Sequence, residues 1–123
     1  MKTADAIGPT LNWLAAKCEG YTNLRLNPHR FAYEGEWIMD PPRVEYGAVD
    51  LCDYEFSTDW AQGGPIIERH WIHLTEDMDS NWVATRWVGK RITETGPTPL
   101  VAAMRCYVAS KLGDEVDVPE GLT

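Results

Sequence analysis

The chain has 123 residues, a formal net charge of −8, six tryptophans and a hydrophobic fraction of 44%. A chain of this length can bury a core without metal or disulfide support, and this composition excludes a largely disordered chain. It contains no apolar run of the roughly 20 residues that a membrane span requires. We therefore expect a single domain over residues 1–123 that does not contact a membrane.

Three widely spaced cysteines are present: Cys18, Cys52 and Cys106. Zinc sites commonly use paired ligands at short spacing, and these cysteines show no such pairing. We predict three reduced thiols, at least two of them in the core. No long apolar run follows Met1, so we expect no signal peptide. Together these features predict a cytosolic protein.

The charge is unevenly distributed along the chain. Residues 1–30 carry +2 and residues 61–111 carry +1, whereas residues 31–60 carry −7 and the tail from residue 112 carries −4. Such a surface would repel a phosphate backbone, so direct binding to duplex nucleic acid is not expected. The acidic segment 31–60 could instead imitate nucleic acid or bind a basic protein face.

The N-terminal half is predicted to contain one helix and one clear strand. The helix begins at Gly8-Pro9 and ends at Gly20, with Leu11, Leu14, Ala15 and Cys18 forming an apolar face. Residues 31–38 alternate as a strand that Pro41-Pro42 ends. Residues 43–56 indicate one strand or a long ordered loop.

The C-terminal half shows the stronger signals. Residues 57–65 predict a turn, with a short helix opening at Pro65. A hairpin is predicted over 71–88, because strand-like runs flank a polar turn. The last helix has Thr98 as N-cap and ends at Gly113; its apolar positions are Leu100, Val101, Met104, Tyr107, Val108 and Leu112. In the acidic tail, Val116 and Val118 are candidates for a short strand.

These elements predict an α+β fold. Its sheet has about four antiparallel strands, and the two main helices pack on one face of that sheet. Neither an internal repeat nor a long linker divides the chain. The variable acidic segment near 31–60 and the acidic tail belong to this same domain.

Two long runs of the sequence resemble a phage family. They are TDWAQGGPIIE at residues 58–68 and GPTPLVAAMRCYVA at residues 96–109, and LAAKCEG at residues 14–20 is also similar. All three resemble the NinX-like family of unknown function from tailed phages and proteobacterial prophages. The resemblance covers the first 20 residues and most of 57–113, while 21–56 show no obvious match. It implies an accessory role in the bacterial host cytosol and supplies no catalytic residues.

Known chemical motifs give little support to an enzyme. His70 and His73 would lie on opposite faces of a strand, and no third ligand stands at a useful spacing, so we predict no metal or cofactor. The Gly63-Gly64 pair lacks the lysine of a P-loop and the third glycine of a dinucleotide fingerprint. Nucleophile signatures are also absent. We predict no catalytic residues and favour a binding protein over an enzyme.

An aromatic and basic group forms the candidate ligand site. Trp82 and Arg86 are predicted to share one face of the strand 82–88, and Lys90 and Arg91 follow. An arginine beside a tryptophan can hold a planar anion by stacking and charge. Trp60 and the backbone donors of Gly63 and Gly64 would complete this site. The alternative is that the tryptophan belongs to the core and the cations are solvated.

Three functions follow from these patterns. The first is non-catalytic binding that sequesters a nucleotide-derived host immune signal, as a phage counter-defence. The second is an acidic inhibitor or nucleic-acid mimic that binds a host defence protein through segment 31–60 and the tail. The third is a small metal-dependent nucleotide hydrolase that uses clustered acids and His70 or His73. A homo-oligomer is compatible with all three.

Overall fold

A computed structural model describes residues 1–27, 36–43, 45 and 47–122. Within these residues the chain forms three α-helices and two antiparallel sheets of three strands each, which confirms the predicted α+β class. The strands form two small sheets rather than one sheet of about four. The helices are α1 (Gly8–Cys18), α2 (Trp60–Arg69) and α3 (Pro99–Leu112).

The first sheet contains β1 (Thr22–Leu26), β2 (Trp37–Asp40) and β3 (Val49–Asp50) in that order. The strand predicted over 31–38 overlaps β2 only at its end, and residues 31–35 lie outside the described residues. β2 ends before Pro41, as predicted, because proline cannot donate to the ladder. The region 43–56 combines β3 with a 3-10 turn at Leu51–Asp53.

The second sheet contains β4 (His73–Glu76), β5 (Trp82–Trp87) and β6 (Arg91–Gly96) in that order. The predicted hairpin is confirmed, since His73 pairs with Thr85 and Glu76 pairs with Trp82. Its first strand begins two residues later than predicted. Side chains alternate along β5, so that one face carries buried Ala84 and faces the core.

Helix α3 is the centre of the core. It packs on β5 and β6 on one side and on α1 on the other, and every residue from Leu100 to Ala109 except Arg105 is buried. The Thr98 hydroxyl caps the helix by accepting from the Val101 N–H at 3.1 Å, and Gly113 ends it with a positive φ, as predicted. Leu112, predicted in the apolar stripe, is 36% exposed because it lies at the end of the helix.

The three cysteines are all free thiols, and they differ in burial. Cys106 is buried on α3, whereas Cys18 is half-buried and packs against the edge of the core. Cys52 is exposed, because it lies in the 3-10 turn at the surface. Only Cys106 is therefore a fully buried core residue.

The prediction for residues 57–65 is wrong. Helix α2 begins at Trp60 instead of Pro65, and the Asp59 carboxylate caps it by accepting from the Ala61 N–H at 3.0 Å. Pro65 lies inside the helix. The proline ring normally clashes with the Cβ of the preceding residue, and Gly64 has no Cβ, so the helix continues through this position.

The two ends of the chain lie together. Lys2 and Glu115 form an isolated antiparallel bridge, and the Val116 N–H donates to the Met1 carbonyl at 2.9 Å. Val116 is buried, but the pairing of the described tail is limited to the bridge at Glu115, so the short strand predicted at Val116 and Val118 does not form. No helix among the described residues is long and apolar enough to cross a membrane.

Candidate functional site

The C-terminal ends of the three helices meet beside the core-facing side of β5. Six side chains bond to one another there, and we call them the arginine–histidine cluster: Glu19, Arg69, His70, Arg86, Tyr107 and Ser110. They come from every helix and from one strand, so that the fold, and not a local motif, assembles the cluster.

Glu19 provides the carboxylate of the cluster. It follows the last turn of α1, forms an ion pair with Arg69 of α2 and accepts the Tyr107 hydroxyl at 2.6 Å. Burial and this bond to Glu19 both raise the pKa of Tyr107. Tyr107 therefore remains a protonated donor at neutral pH.

Arg86 contacts only neutral groups directly. Its guanidinium donates to Ser110 Oγ at 2.6 Å, lies 3.0 Å from His70 Nδ1 and sits 5.9 Å from the centre of the Tyr107 ring. Arg86 is not a member of any ion pair formed by the described residues. The charge of this half-buried guanidinium is consequently not neutralised by a direct partner.

His70 lies between two arginines. Its Nδ1 faces Arg86, and its Nε2 lies 3.3 Å from Arg69 Nε. A neutral imidazole accepts a hydrogen bond at only one nitrogen, so one of the two arginines is left facing a ring N–H. Burial, followed by the charge of Arg86, lowers the pKa of His70. The cluster thus has more donors than acceptors.

Two lysines increase the positive charge around the cluster. Lys111 Nζ lies 5.9 Å from the centre of the Tyr107 ring, and the charges of Lys17 and Lys111 both act on the Cys18 thiol. Burial nevertheless raises the pKa of Cys18 to about 12, so this thiol is not a nucleophile at neutral pH. The cationic side chains that affect the pKa of Cys18 or of His70 number four among the described residues: Lys17, Arg69, Arg86 and Lys111. Glu19 is the single carboxylate in this group.

Three of the predicted ligand residues lie near this cluster. Arg86 is within it, and Lys90 and Arg91 line an adjoining polar hollow of about 520 Å³ together with Ser110. The same hollow is also lined by Glu94 and Asp114. Lys90 and Arg91 thus lie near the C-terminal end of α3, but the pairing of Arg91 with Trp87 places the Arg91 side chain on the other face of the sheet from Arg86.

The remaining predicted residues lie at the opposite end of α3. Trp60 lines a groove with Leu100, while Trp82 is half-buried against the core. Leu100 and Ser110 are separated by ten residues of helix, which is roughly 15 Å. The Gly63 N–H donates to the Asp59 carbonyl inside α2, and Gly64 follows it in the same helix. The seven residues predicted to bind the ligand therefore do not line one ligand-sized site.

The two histidines considered as metal ligands are also separated by structure. His70 is the C-cap of α2 and His73 is the first residue of β4, so that they do not belong to one strand. In the part of the chain that the structure describes, no three His, Cys, Asp or Glu side chains are grouped to hold a metal ion.

Sequence patterns did not reveal most of the cluster. Tyr107 counted only as an apolar residue of α3, and nothing in the sequence marked Glu19 or Ser110. The one available signal was the run Glu68-Arg69-His70, which places two basic residues at the end of a helix, where they favour the helix dipole.

A separate apolar groove of about 440 Å³ lies beside the acidic segment. Trp37, Leu51 and Tyr54 contribute its apolar surface, and Glu36 and Glu55 also line it. Partial desolvation of the largely exposed Cys52 thiol, followed by the neighbouring carboxylates, raises the pKa of this thiol. The groove therefore has the opposite electrostatic character to the arginine–histidine cluster.

The fold and the cluster together define a small α+β domain with a cation-rich, half-buried polar centre. The chain belongs to the phage family described as Bacteriophage P22, NinX, which matches residues 2–111. This match includes residues 21–56, where the sequence alone showed no obvious similarity. No curated protein matches the chain.

Proposed function

We propose that this protein is a phage accessory protein that binds an anionic, nucleotide-derived signal of the host's defence and sequesters it without transforming it. The arginine–histidine cluster is the ligand's anion site. The observation that supports this proposal is the half-buried Arg86 guanidinium, whose direct partners are the neutral Ser110 hydroxyl and His70 ring.

The donors of the cluster suit a phosphate group. A guanidinium has five N–H donors in a planar fork and commonly binds phosphate through two of them. A phosphate oxygen near His70 would provide the acceptor that one of the two arginines lacks. Arg69 is more than half exposed, and Lys17 and Lys111 are exposed, so these cations can reach a ligand from solvent.

Helix dipoles explain some of these cations but not Arg86. Lys17, Arg69 and Lys111 each lie in the last turn of a helix, where the negative end of the dipole favours a cation. Arg86 comes from the middle of a sheet. Because no helix dipole accounts for Arg86, its presence beside the other cations supports an anion site.

The geometry favours binding over catalysis. Ser110 Oγ donates to the Tyr107 carbonyl at 2.7 Å and accepts from Arg86, while His70 contacts arginines and stacks on the Tyr107 ring. A nucleophile would need its hydroxyl bonded to the histidine. Both side chains are instead bonded to Arg86.

Incubation of the protein with a nucleotide extract of host cells tests this proposal. The complex would be washed and heated, and the released molecules identified by mass spectrometry. We expect an unmodified phosphate-containing compound that Arg86→Ala retains at least about tenfold less well, since a charge-assisted hydrogen bond is worth about 1.5–3 kcal/mol.

Two variants and one addition act as controls. Arg25→Ala removes a surface arginine that pairs with Asp40 and should leave binding unchanged. Arg86→Lys preserves the charge but not the planar fork, so we expect intermediate binding. Metal-dependent turnover of the bound compound on adding a divalent cation would contradict the proposal and support the hydrolase.

The acidic groove supports a second candidate function. Its apolar surface and its carboxylates fit a basic protein segment that inserts an apolar side chain, as an inhibitor of a host defence protein would require. Charge reversal at Glu36 and Glu55 should then abolish binding to that host protein, measured by co-purification from host cells. Arg86→Ala should have no effect on this interaction.

A further inference from the structure

Trp71 occupies an unusual position after the last turn of α2. The Ile72 N–H donates to the Ile67 carbonyl at 3.1 Å, and the Trp71 N–H lies 3.4 Å from the Glu68 carbonyl. These two contacts define a Schellman motif with Trp71 at the C′ position. Its φ is +55°, in the left-handed region. Glycine is the usual residue there, because it has no Cβ to clash.

The indole of Trp71 is not used by the fold. Trp71 is 81% exposed, although tryptophan normally contributes to a core. A glycine at this position would relieve the backbone and expose less apolar surface. An aromatic residue held in a strained conformation and directed to solvent therefore indicates a contact with something outside the chain.

The surroundings of Trp71 form a shallow groove. Its volume is about 400 Å³, most of its surface is apolar, and Trp71 lines it together with Ile67, Glu68, Ile72 and His73. Trp71 also directly follows His70, whose ring contacts Arg86. An aromatic face thus lies next to the anion site along the chain.

We infer that Trp71 is the base-stacking residue of the ligand site, and this inference rests on the proposed function. The phosphate of a nucleotide binds at Arg86 and His70, and its base stacks on the Trp71 indole above Ile67 and Ile72. The Glu68 carboxylate lines the same groove and accepts from an exocyclic amino group of the base. Trp71 therefore determines specificity for nucleotides over simple anions.

The other tryptophans near the predicted site do not meet these conditions. Trp87 is also exposed, but alternation along β5 places it on the opposite face of the sheet from Arg86. Trp60 and Trp82 lie near the other end of α3. Trp87 is consequently the matched control for Trp71, since both follow directly after a residue of the cluster.

Calorimetric titration with adenosine 5′-monophosphate and with inorganic phosphate tests the inference. We expect wild type to bind the nucleotide at least about tenfold more tightly than phosphate, because stacking on an aromatic side chain stabilises a bound base. Trp71→Gly should reduce nucleotide affinity to that for phosphate and leave phosphate binding unchanged. Trp71→Phe should retain part of the preference, and Trp87→Gly should retain all of it.

Each other outcome is informative. If wild type binds neither probe, the proposed anion site is wrong, and the inference is overturned with it. If wild type binds both probes equally, or if Trp71→Gly keeps the preference, the anion site stands and the role of Trp71 is overturned. Thermal melting provides an independent check: Trp71→Gly should melt a few degrees higher than wild type, since glycine relieves the positive φ.

Discussion

The Tyr107 hydroxyl donates to Glu19 at 2.6 Å across 88 positions of sequence. Because Glu19 also forms an ion pair with Arg69, one carboxylate connects all three helices. The same carboxylate is the negative charge that offsets the surrounding cations. The Glu19 carboxylate therefore stabilises the fold but weakens anion binding.

Glu19→Gln should change the free energy of unfolding and the anion affinity in opposite directions. We expect it to lower the free energy of unfolding by about 1–3 kcal/mol, because it weakens two charge-assisted hydrogen bonds. It should also tighten binding of anions several-fold, since the local positive charge increases. Urea denaturation and calorimetric titration measure the two effects. Glu115→Gln, at an exposed carboxylate near the N-terminus, is the control and should change neither. Weaker anion binding by Glu19→Gln would contradict the proposed site.

His70 predicts a pH dependence of stability. Its pKa is lowered in the folded state, so the unfolded chain binds more protons between that pKa and the ordinary value near 6.5. The contribution of neutral His70 is then fully present above pH 6.5 and is lost as the pH falls through this window. Relative to His70→Gln, wild type should lose stability as the pH falls below about 6.5, measured by urea denaturation. Parallel stability curves for the two proteins would refute this.

Gly63 is required by packing. A Cβ at this position would lie 2.4 Å from the Phe56 carbonyl oxygen and 2.6 Å from Leu100 Cδ2. We expect Gly63→Ala to destabilise the domain by about 2–3 kcal/mol, the upper part of the range for overpacking. Gly64→Ala is not a neutral control, because its Cβ would face the Pro65 ring inside the helix. A Gly63→Ala variant that melts like wild type would show that the position of α2 is wrong.

Met104 lies at the centre of the core. It is fully buried on α3, and an unpaired buried charge costs more than a small domain's stability can absorb. Met104→Asp should therefore leave the protein unfolded by circular dichroism. Leu112→Asp, near the exposed end of the same helix, should fold and melt within a few degrees of wild type. A folded Met104→Asp variant would contradict the assigned helix face.

The elements that sequence predicted correctly have local causes. Thr98 and Gly113 bound α3 through a side-chain cap and a left-handed stop, and strand alternation identified the hairpin. The start of α2 could not be predicted, because Gly63-Gly64-Pro65 is locally a turn signal. Phe56 and Leu100 approach Gly63 too closely for a Cβ, and this tertiary contact explains why glycine is needed at that position inside α2.

The candidate site was harder to predict for a related reason. Alternation correctly placed Trp82 and Arg86 on one face of β5, but four residues of strand separate them by roughly 13 Å. Sequence does not show which helix covers that face. The partners of Arg86 and Glu19 lie on helices 16 to 88 positions away, and only tertiary packing brings them into contact.

The contact between the N-terminal and C-terminal segments makes the protein suitable for circular permutation. Met1 and Val116 are hydrogen-bonded neighbours, and Thr3 Oγ1 donates to the Gly113 carbonyl at 2.6 Å. A short linker could therefore join the ends, and the exposed turn between β4 and β5 offers a place for new ones. In such a circular permutant the second sheet would be split between the two ends, while α3 and α1 would become consecutive helices, connected through the tail, the linker and residues 1–7.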